Sequence, residues 1–144
     1  MHDAVVRNRP DSAAANAHFG EHVTVDGYNG NPDLLNSKDV LVSSIEELCT
    51  ILGMQKLSDI SALSAPDNHI KDPGGWSGFV IVAESHISIH TFPKRRFVSA
   101  DVYTCRNGID ADAIGNYFRQ KYELDDVEVH FIIRGTRYPA QNVA

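Results

Sequence analysis

The chain has 144 residues, 42% hydrophobic and 22% charged, the balance of one globular domain with a sizeable core. Its formal charge of −6 argues against a general nucleic-acid binder, which needs a basic surface. No apolar run approaches the roughly 18 residues that cross a bilayer, so no membrane partner is expected.

The first stretch, "MHDAVVRNRPDSAAANA", lacks the apolar centre of a secretory signal. Its Ala, Asn, Ser and Pro content predicts a poorly ordered N-terminal arm over residues 1–17, ahead of a single domain over 18–144. Residues 22–28, "HVTVDGY", alternate as a strand does, with Val23 and Val25 on one face. "NGNPD" at 29–33 is turn chemistry. Over 37–54, Leu41, Ile45, Leu48 and Leu52 recur at helical spacing while Glu46 and Glu47 fall on the wet side. Cys49 joins the apolar stripe as a small core residue. With Cys105 it makes no disulfide framework, and a reducing cytoplasm is the expected setting.

A weaker strand is predicted near 56–64, then a loop, "APDNHIKDPGGW", dense in Asp, Pro and Gly. Three strands follow: "SGFVIVAE", "HISIHTF" and "FVSADVYTC". "DADAIGNYFRQKY" at 110–122 reads as a second helix with Ile114 and Phe118 inward, and "DVEVHFII" closes the chain as a strand. Short connections between neighbouring strands favour antiparallel pairing. The expected fold class is therefore α+β, a two-layer α/β sandwich of a mainly antiparallel sheet with two helices on one face. "FVIV", apolar at every position, predicts burial on both faces, which a homodimer with stacked sheets would supply.

One run, "VAESHISIHTFPKRRFVSADVYTC", concentrates the reactive residue types. His86, His90, Asp101 and Cys105 suggest a metal site, but strand residues four apart sit about 13 Å from each other. Zinc ligands must each lie about 2 Å from the ion, so no metal is expected. Ser85 lacks the Gly-x-Ser-x-Gly elbow of a hydrolase, and "DPGGWSG" lacks the lysine of a phosphate loop. Lys94-Arg95-Arg96, the only basic run, reads as a solvated hairpin loop. Alternation puts His86, Ser88 and His90 opposite Ile87 and Ile89, as in any half-buried strand. Residue chemistry alone names no function.

The order of motifs does more. Ser77-Gly78, "FVIVA", Glu84-Ser85-His86, Ile89-His90-Thr91-Phe92-Pro93 and Asp101-Val102-Tyr103-Thr104-Cys105 follow one another. This series resembles the self-processing site of the S-adenosylmethionine decarboxylase family, bacterial and archaeal type, and "FGEHVTVDGY" resembles its first strand. The likeness runs from about residue 19 to 138. It implies that Ser85 attacks the Glu84 carbonyl, converting the peptide bond to an ester. Elimination would free the chain ending at Glu84, and hydrolysis would leave a pyruvoyl group capping the chain that begins at position 85. The resemblance assigns Ser77 and His90 to this processing, and histidine suits proton transfer near neutral pH. The pyruvoyl ketone would then form a Schiff base with a substrate amine and act as electron sink, needing no external cofactor. Cys105 would protonate the product carbon. His86 has no assigned role. Members of this size work as homodimers with the active site near the subunit interface.

Two positions depart from the pattern. Where the family places an aromatic residue that stacks on adenine, fourteen before the serine, this chain has Lys71. Where a glutamate holds the ribose hydroxyls, it has Lys94, which donates hydrogen bonds but accepts none. Phe92 or Trp76 could stack instead. The departure favours L-ornithine or L-arginine as substrate, with Asp26, Asp67 or Asp72 as partner of a distal cation. S-adenosylmethionine itself is the alternative substrate. The alternative of another class is a non-catalytic partner or ligand-binding subunit, which would keep the Glu84–Ser85 bond intact.

Overall fold

The structure, a computed structural model, describes residues 5–7 and 18–142. The elements are β1 (Val5–Arg7), β2 (Gly20–Tyr28), α1 (Pro32–Leu35), α2 (Lys38–Leu52), β3 (Ser61–Ala65), β4 (Gly75–Val82), β5 (Ser85–Phe92), β6 (Phe97–Thr104), α3 (Ala111–Tyr122) and β7 (Asp126–Arg134). They build a seven-stranded sheet in the order β1-β7-β2-β6-β5-β4-β3. Every pairing is antiparallel except β1 with β7. The α+β sandwich read from the sequence is the fold observed.

The helices start and stop where side chains satisfy their free backbone groups. Ser37 caps α2 by accepting from Val40 N–H, and Asp110 caps α3 by accepting from Ala113 N–H. α2 ends at Gly53, whose φ of 63° is the left-handed conformation that spares glycine a Cβ clash. Leu41, Ile45 and Leu48 of α2 and Ile114 and Phe118 of α3 are buried against one face of the sheet. Each such side chain contributes about 1.5–3 kcal/mol by leaving water. Cys49 is buried with them, as expected.

That face carries Val23 and Val25 of β2, Val98, Ala100 and Val102 of β6, Ile87 and Ile89 of β5, and Val127 and Val129 of β7. The opposite face, left open in the single chain, is polar and aromatic. It presents His22, Thr24 and Asp26 of β2, His86, Ser88 and His90 of β5, and Ser99, Asp101 and Tyr103 of β6.

"FVIV" alternates in burial: Val80 and Val82 are buried under the helices, whereas Phe79 and Ile81 are 41% and 40% exposed on the open face. Phe79 and Ile81 lie on the face that the expected second subunit would cover. Two readings need correction, residues 29–33 and the strand near 56–64. Residues 29–33 are not only a turn, because Asn31 caps the short helix α1, with Pro32 at its first position. The strand near 56–64 is broken into an isolated bridge, Lys56 with Val82, and β3. The arm expected over 1–17 lies outside the described residues except at Val5–Arg7, which pair in parallel with Val129–Phe131 of β7.

Candidate active site

β4 and β5 form a two-residue hairpin. Val82 pairs with Ser85, leaving Ala83 and Glu84 as the turn. Glu84 has φ of 59°, in the left-handed region where a side chain is rarely accommodated. Such a backbone conformation costs of order 1–3 kcal/mol, at the residue whose carbonyl the nucleophile would attack.

Ser85 is 6% exposed, and its Oγ accepts the backbone N–H of Cys105 at 3.0 Å. That bond occupies a lone pair and leaves the hydroxyl proton for another acceptor. The Cys105 thiol faces the same turn, with Sγ 3.9 Å from the Ala83 carbonyl oxygen. The turn is held from its other side as well. Gln55 O accepts Ala83 N–H at 2.9 Å, and Leu57 N–H donates to Ile81 O at 2.8 Å. Ser85 Oγ, the Glu84 residue and the Cys105 thiol therefore share one end of the sheet.

Ser77 and His90 do not join them. They are register partners on β4 and β5, with Ser77 Oγ and His90 Nδ1 2.8 Å apart. His90 lies five residues beyond Ser85, about 16 Å along an extended strand. It also projects from the open face, whereas alternation puts Ser85 on the helix side. One chain thus places Ser85 and His90 at opposite ends of β5.

The His90 end borders a cavity of about 630 Å³ lined by Tyr28, Asn68, Lys71, Asp72, Phe92, Arg95, Phe97 and Ser99 besides the histidine. Three aromatic rings run along it, with Tyr28 to Phe97 at 5.4 Å and Phe97 to Phe92 at 5.5 Å between centroids. The hydrogen bond to Glu128 raises the Tyr28 phenol to about 12. Lys71 and Asp72 reach the cavity from a loop folded on its own side chains. Asn68 Oδ1 accepts from Ile70 and Asp72 N–H, and Asp72 Oδ1 from Gly74 N–H.

The other binding candidates fall elsewhere. Asp67 and Lys94 share a separate depression. Asp26 accepts the hydroxyl of its register partner Ser99 at 3.0 Å and is not among the residues that line the cavity. Trp76 donates its indole N–H to Asn36 O at 3.3 Å and packs against the core.

Between these two ends, the open face carries a network that sequence reading missed. His22 Nε2–H donates to Asp101 at 2.9 Å, Ser88 donates to the other carboxylate oxygen at 3.2 Å, and Arg134 donates to His22 Nδ1 at 3.2 Å. The His22 hydrogen bond holds the Asp101 carboxyl below the usual carboxylate range. Burial, then the charge of His22, pushes His86 down. The cross-strand register of His22, Tyr103 and His86 was the available signal, but it needs the strand order.

The comparisons with known proteins bear on this geometry. Residues 21–135 match the family model described as S-adenosylmethionine decarboxylase. The chain belongs to the S-adenosylmethionine decarboxylase family. An S-adenosylmethionine decarboxylase proenzyme of Pyrobaculum islandicum is 37% identical over 112 residues, covering 78% of this chain and 85% of that protein. One from Moorella thermoacetica is 29% identical over 126 residues, covering 88% and 95%. The crystal structure of the adenosylmethionine decarboxylase from Aquifex aeolicus shares the fold, with a TM-score of 0.71 at 24% identity, covering 88% of this chain and 98% of that one. Ser77, Glu84, Ser85, His90 and Cys105 all fall inside the span that matches the S-adenosylmethionine decarboxylase family. Among the described residues no helix is long and apolar enough to cross a membrane.

Proposed function

We propose that this chain is a proenzyme that cleaves itself between Glu84 and Ser85 and then decarboxylates S-adenosylmethionine. The observation that carries the reading is Ser85 Oγ held by Cys105 N–H beside a left-handed Glu84. Attack of Oγ on the Glu84 carbonyl carbon breaks the Glu84–Ser85 C–N bond and leaves an ester. Loss of the Ser85 α-proton with cleavage of Cβ–Oγ frees the Glu84 carboxylate, and water then releases ammonia to leave a pyruvoyl ketone. A serine at a hairpin turn, with its oxygen held and a thiol beside it, fits the formation of that group. The ketone, once formed, supplies an electron sink for loss of carbon dioxide. Cys105 Sγ delivers the proton to the carbon that has lost it.

Proton transfer during cleavage needs a base, and among the described residues the hydrogen bond to Ser85 Oγ comes from Cys105 N–H, a donor. Ser77 and His90 supply a paired hydroxyl and imidazole, and we assign them to the Ser85 of a second copy. A two-fold pairing of open faces sets the His90 end of one β5 against the Ser85 end of the other. The exposed Phe79 and Ile81 support this homodimer, since burying them would remove apolar surface from water.

The cavity at the His90 end supports the nucleoside substrate. The rings of Phe92, Phe97 and Tyr28 offer stacking in place of the aromatic absent at Lys71, and Asp72 offers the acceptor absent at Lys94. A second reading, L-ornithine or L-arginine as substrate, is favoured by the lysines at those two positions. Against it, the cavity carries two cations, Lys71 and Arg95, and a single carboxylate, Asp72. A distal ammonium or guanidinium would find only Asp72 as a counter-charge there, whereas an adenosyl group can use the three rings. The relatives' names point the same way. Carbon dioxide release from S-adenosylmethionine, L-ornithine and L-arginine by the cleaved protein tests the assignment. Turnover of S-adenosylmethionine alone is expected; turnover of an amino acid alone replaces it with the second reading.

A further inference from the structure

We infer that Arg106 is a positioning residue for Ser85 and Cys105, acting by tying both sides of the scissile turn to the C-terminal end of α2. The inference rests on the self-processing reading above and extends it to a residue outside the reacting atoms. Two threads leave that helix end. One is the main chain after Gly53, which passes along the last residues of β4. There Gln55 O holds Ala83 N–H and Leu57 N–H holds Ile81 O, up to the residue before Glu84. This thread fixes the acyl side of the turn.

The other thread is the Arg106 side chain. Its Nη1 donates to Leu52 O at 3.2 Å and its Nη2 to Gly53 O at 2.8 Å. The backbone N–H of Arg106 donates to Thr104 Oγ1 at 3.0 Å, and the residue before it donates its own N–H to Ser85 Oγ. Arg106 therefore links the strand end that holds the nucleophile and the thiol to the helix end that holds the acyl side. The distance between Cys105 and the turn is set through this joint.

An arginine suits the task for two reasons. The last carbonyls of a helix lack intrahelical partners and carry the negative end of its dipole, so a cation is favoured there. A guanidinium is a planar fork that bonds two neighbouring carbonyls at once, which fixes direction as well as distance. A lysine at position 106 supplies the charge without the fork. The Arg106 side chain is solvent-exposed, so its contribution to folding stability is small, and its effect falls on geometry. A misplacement near 1 Å at reacting groups costs up to about a hundredfold in rate.

The test follows Glu84–Ser85 cleavage by intact mass after cell-free synthesis of the full chain, for the parent, Arg106→Met and Arg106→Lys. Melting temperature is measured on each, and kcat and KM for S-adenosylmethionine on each chain once cleaved. The expected result is cleavage of Arg106→Met slowed at least about tenfold, with Tm lowered by no more than about 4 °C. Its kcat falls while KM stays within about twofold, the mark of an interaction made in the transition state only. Arg106→Lys falls between the two. Cleavage of Arg106→Met at the parent's rate, whatever its Tm, overturns the inference and leaves Arg106 as a helix cap. If the methionine variant is insoluble, the lysine variant decides: slower cleavage supports the inference and parent-rate cleavage overturns it. A parent that never cleaves removes the processing reading and this inference together, whereas a cleaving parent with unaffected variants removes only the inference.

Discussion

The backbone N–H of Cys105 donates to Ser85 Oγ at 3.0 Å, joining the first residue of β5 to the residue that follows β6. The bond uses main chain on the cysteine side, so its side chain is free for a second task at the same turn. Cys105→Ser keeps the N–H and loses the thiol. Cleavage of that variant should proceed, while kcat of the cleaved protein falls by about 10²–10⁴, the usual size of a lost general acid. Mass analysis and steady-state turnover check the two halves separately. A variant that fails to cleave would mean that the thiol itself takes part in processing.

The separation of Ser77–His90 from Ser85 predicts complementation between subunits. Ser85→Ala lacks the nucleophile, and His90→Ala lacks the proton-transfer group. Made separately, the first stays whole and the second cleaves slowly. In mixed dimers the His90→Ala chain should be cut, because its partner contributes an intact Ser77–His90 pair. Intact mass after co-expression of differently tagged chains reads this directly. A His90→Ala chain that cleaves no faster in the mixture would place both halves of the site within one chain.

Acid should destabilise the fold in two windows. His86 titrates below its ordinary value in the folded chain because of burial and the neighbouring His22 charge. Folding therefore favours its neutral form, and the associated stability is complete above about pH 6.5 and lost as pH falls through the lower folded value. Asp101 is depressed chiefly by the hydrogen bond from His22, so its contribution is present above the ordinary carboxylate value of 3.8 and lost as pH falls through the lower folded value. Denaturant midpoints across pH should fall in both ranges, and His86→Gln should remove the upper step. An unchanged upper step would assign it to another group.

Asp72 should matter to binding more than to turnover. Among the described residues it is the only carboxylate on the cavity that also holds His90 and Phe92. Asp72→Asn should raise KM for S-adenosylmethionine roughly tenfold with little change in kcat, as expected for a charged hydrogen bond lost equally from ground and transition states. A KM unchanged for S-adenosylmethionine but raised for L-ornithine or L-arginine would favour the amino-acid reading.

Much of this architecture was legible in the chain, for reasons that differ by element. β4, β5 and β6 alternate and connect through short turns, so their antiparallel order follows locally. The helices over 37–54 and 110–122 follow from apolar residues recurring at helical spacing. The insertion of β7 between β1 and β2 carries no local signal, because it depends on long-range pairing. Val5–Arg7 are too few to show a period. "FVIV" shows that both faces of β4 are apolar, but its sequence does not say which pair packs under the helices, since Phe79 and Ile81 are no less hydrophobic than Val80 and Val82. For the site, the strand spacing that argued against zinc between His86 and His90 also separates Ser85 from His90. Sequence order placed these residues in one motif, and the extended backbone divides them between two ends.

The central claim is self-cleavage at Glu84–Ser85, and the denatured intact mass of the purified protein beside Ser85→Ala tests it most directly. The account predicts two chains from the parent, residues 1–84 and 85–144. The second should be lighter by ammonia than a chain beginning with serine, and Ser85→Ala should give a single chain. One uncut chain from the parent after prolonged incubation would contradict it and leave a non-catalytic binding subunit as the reading to pursue.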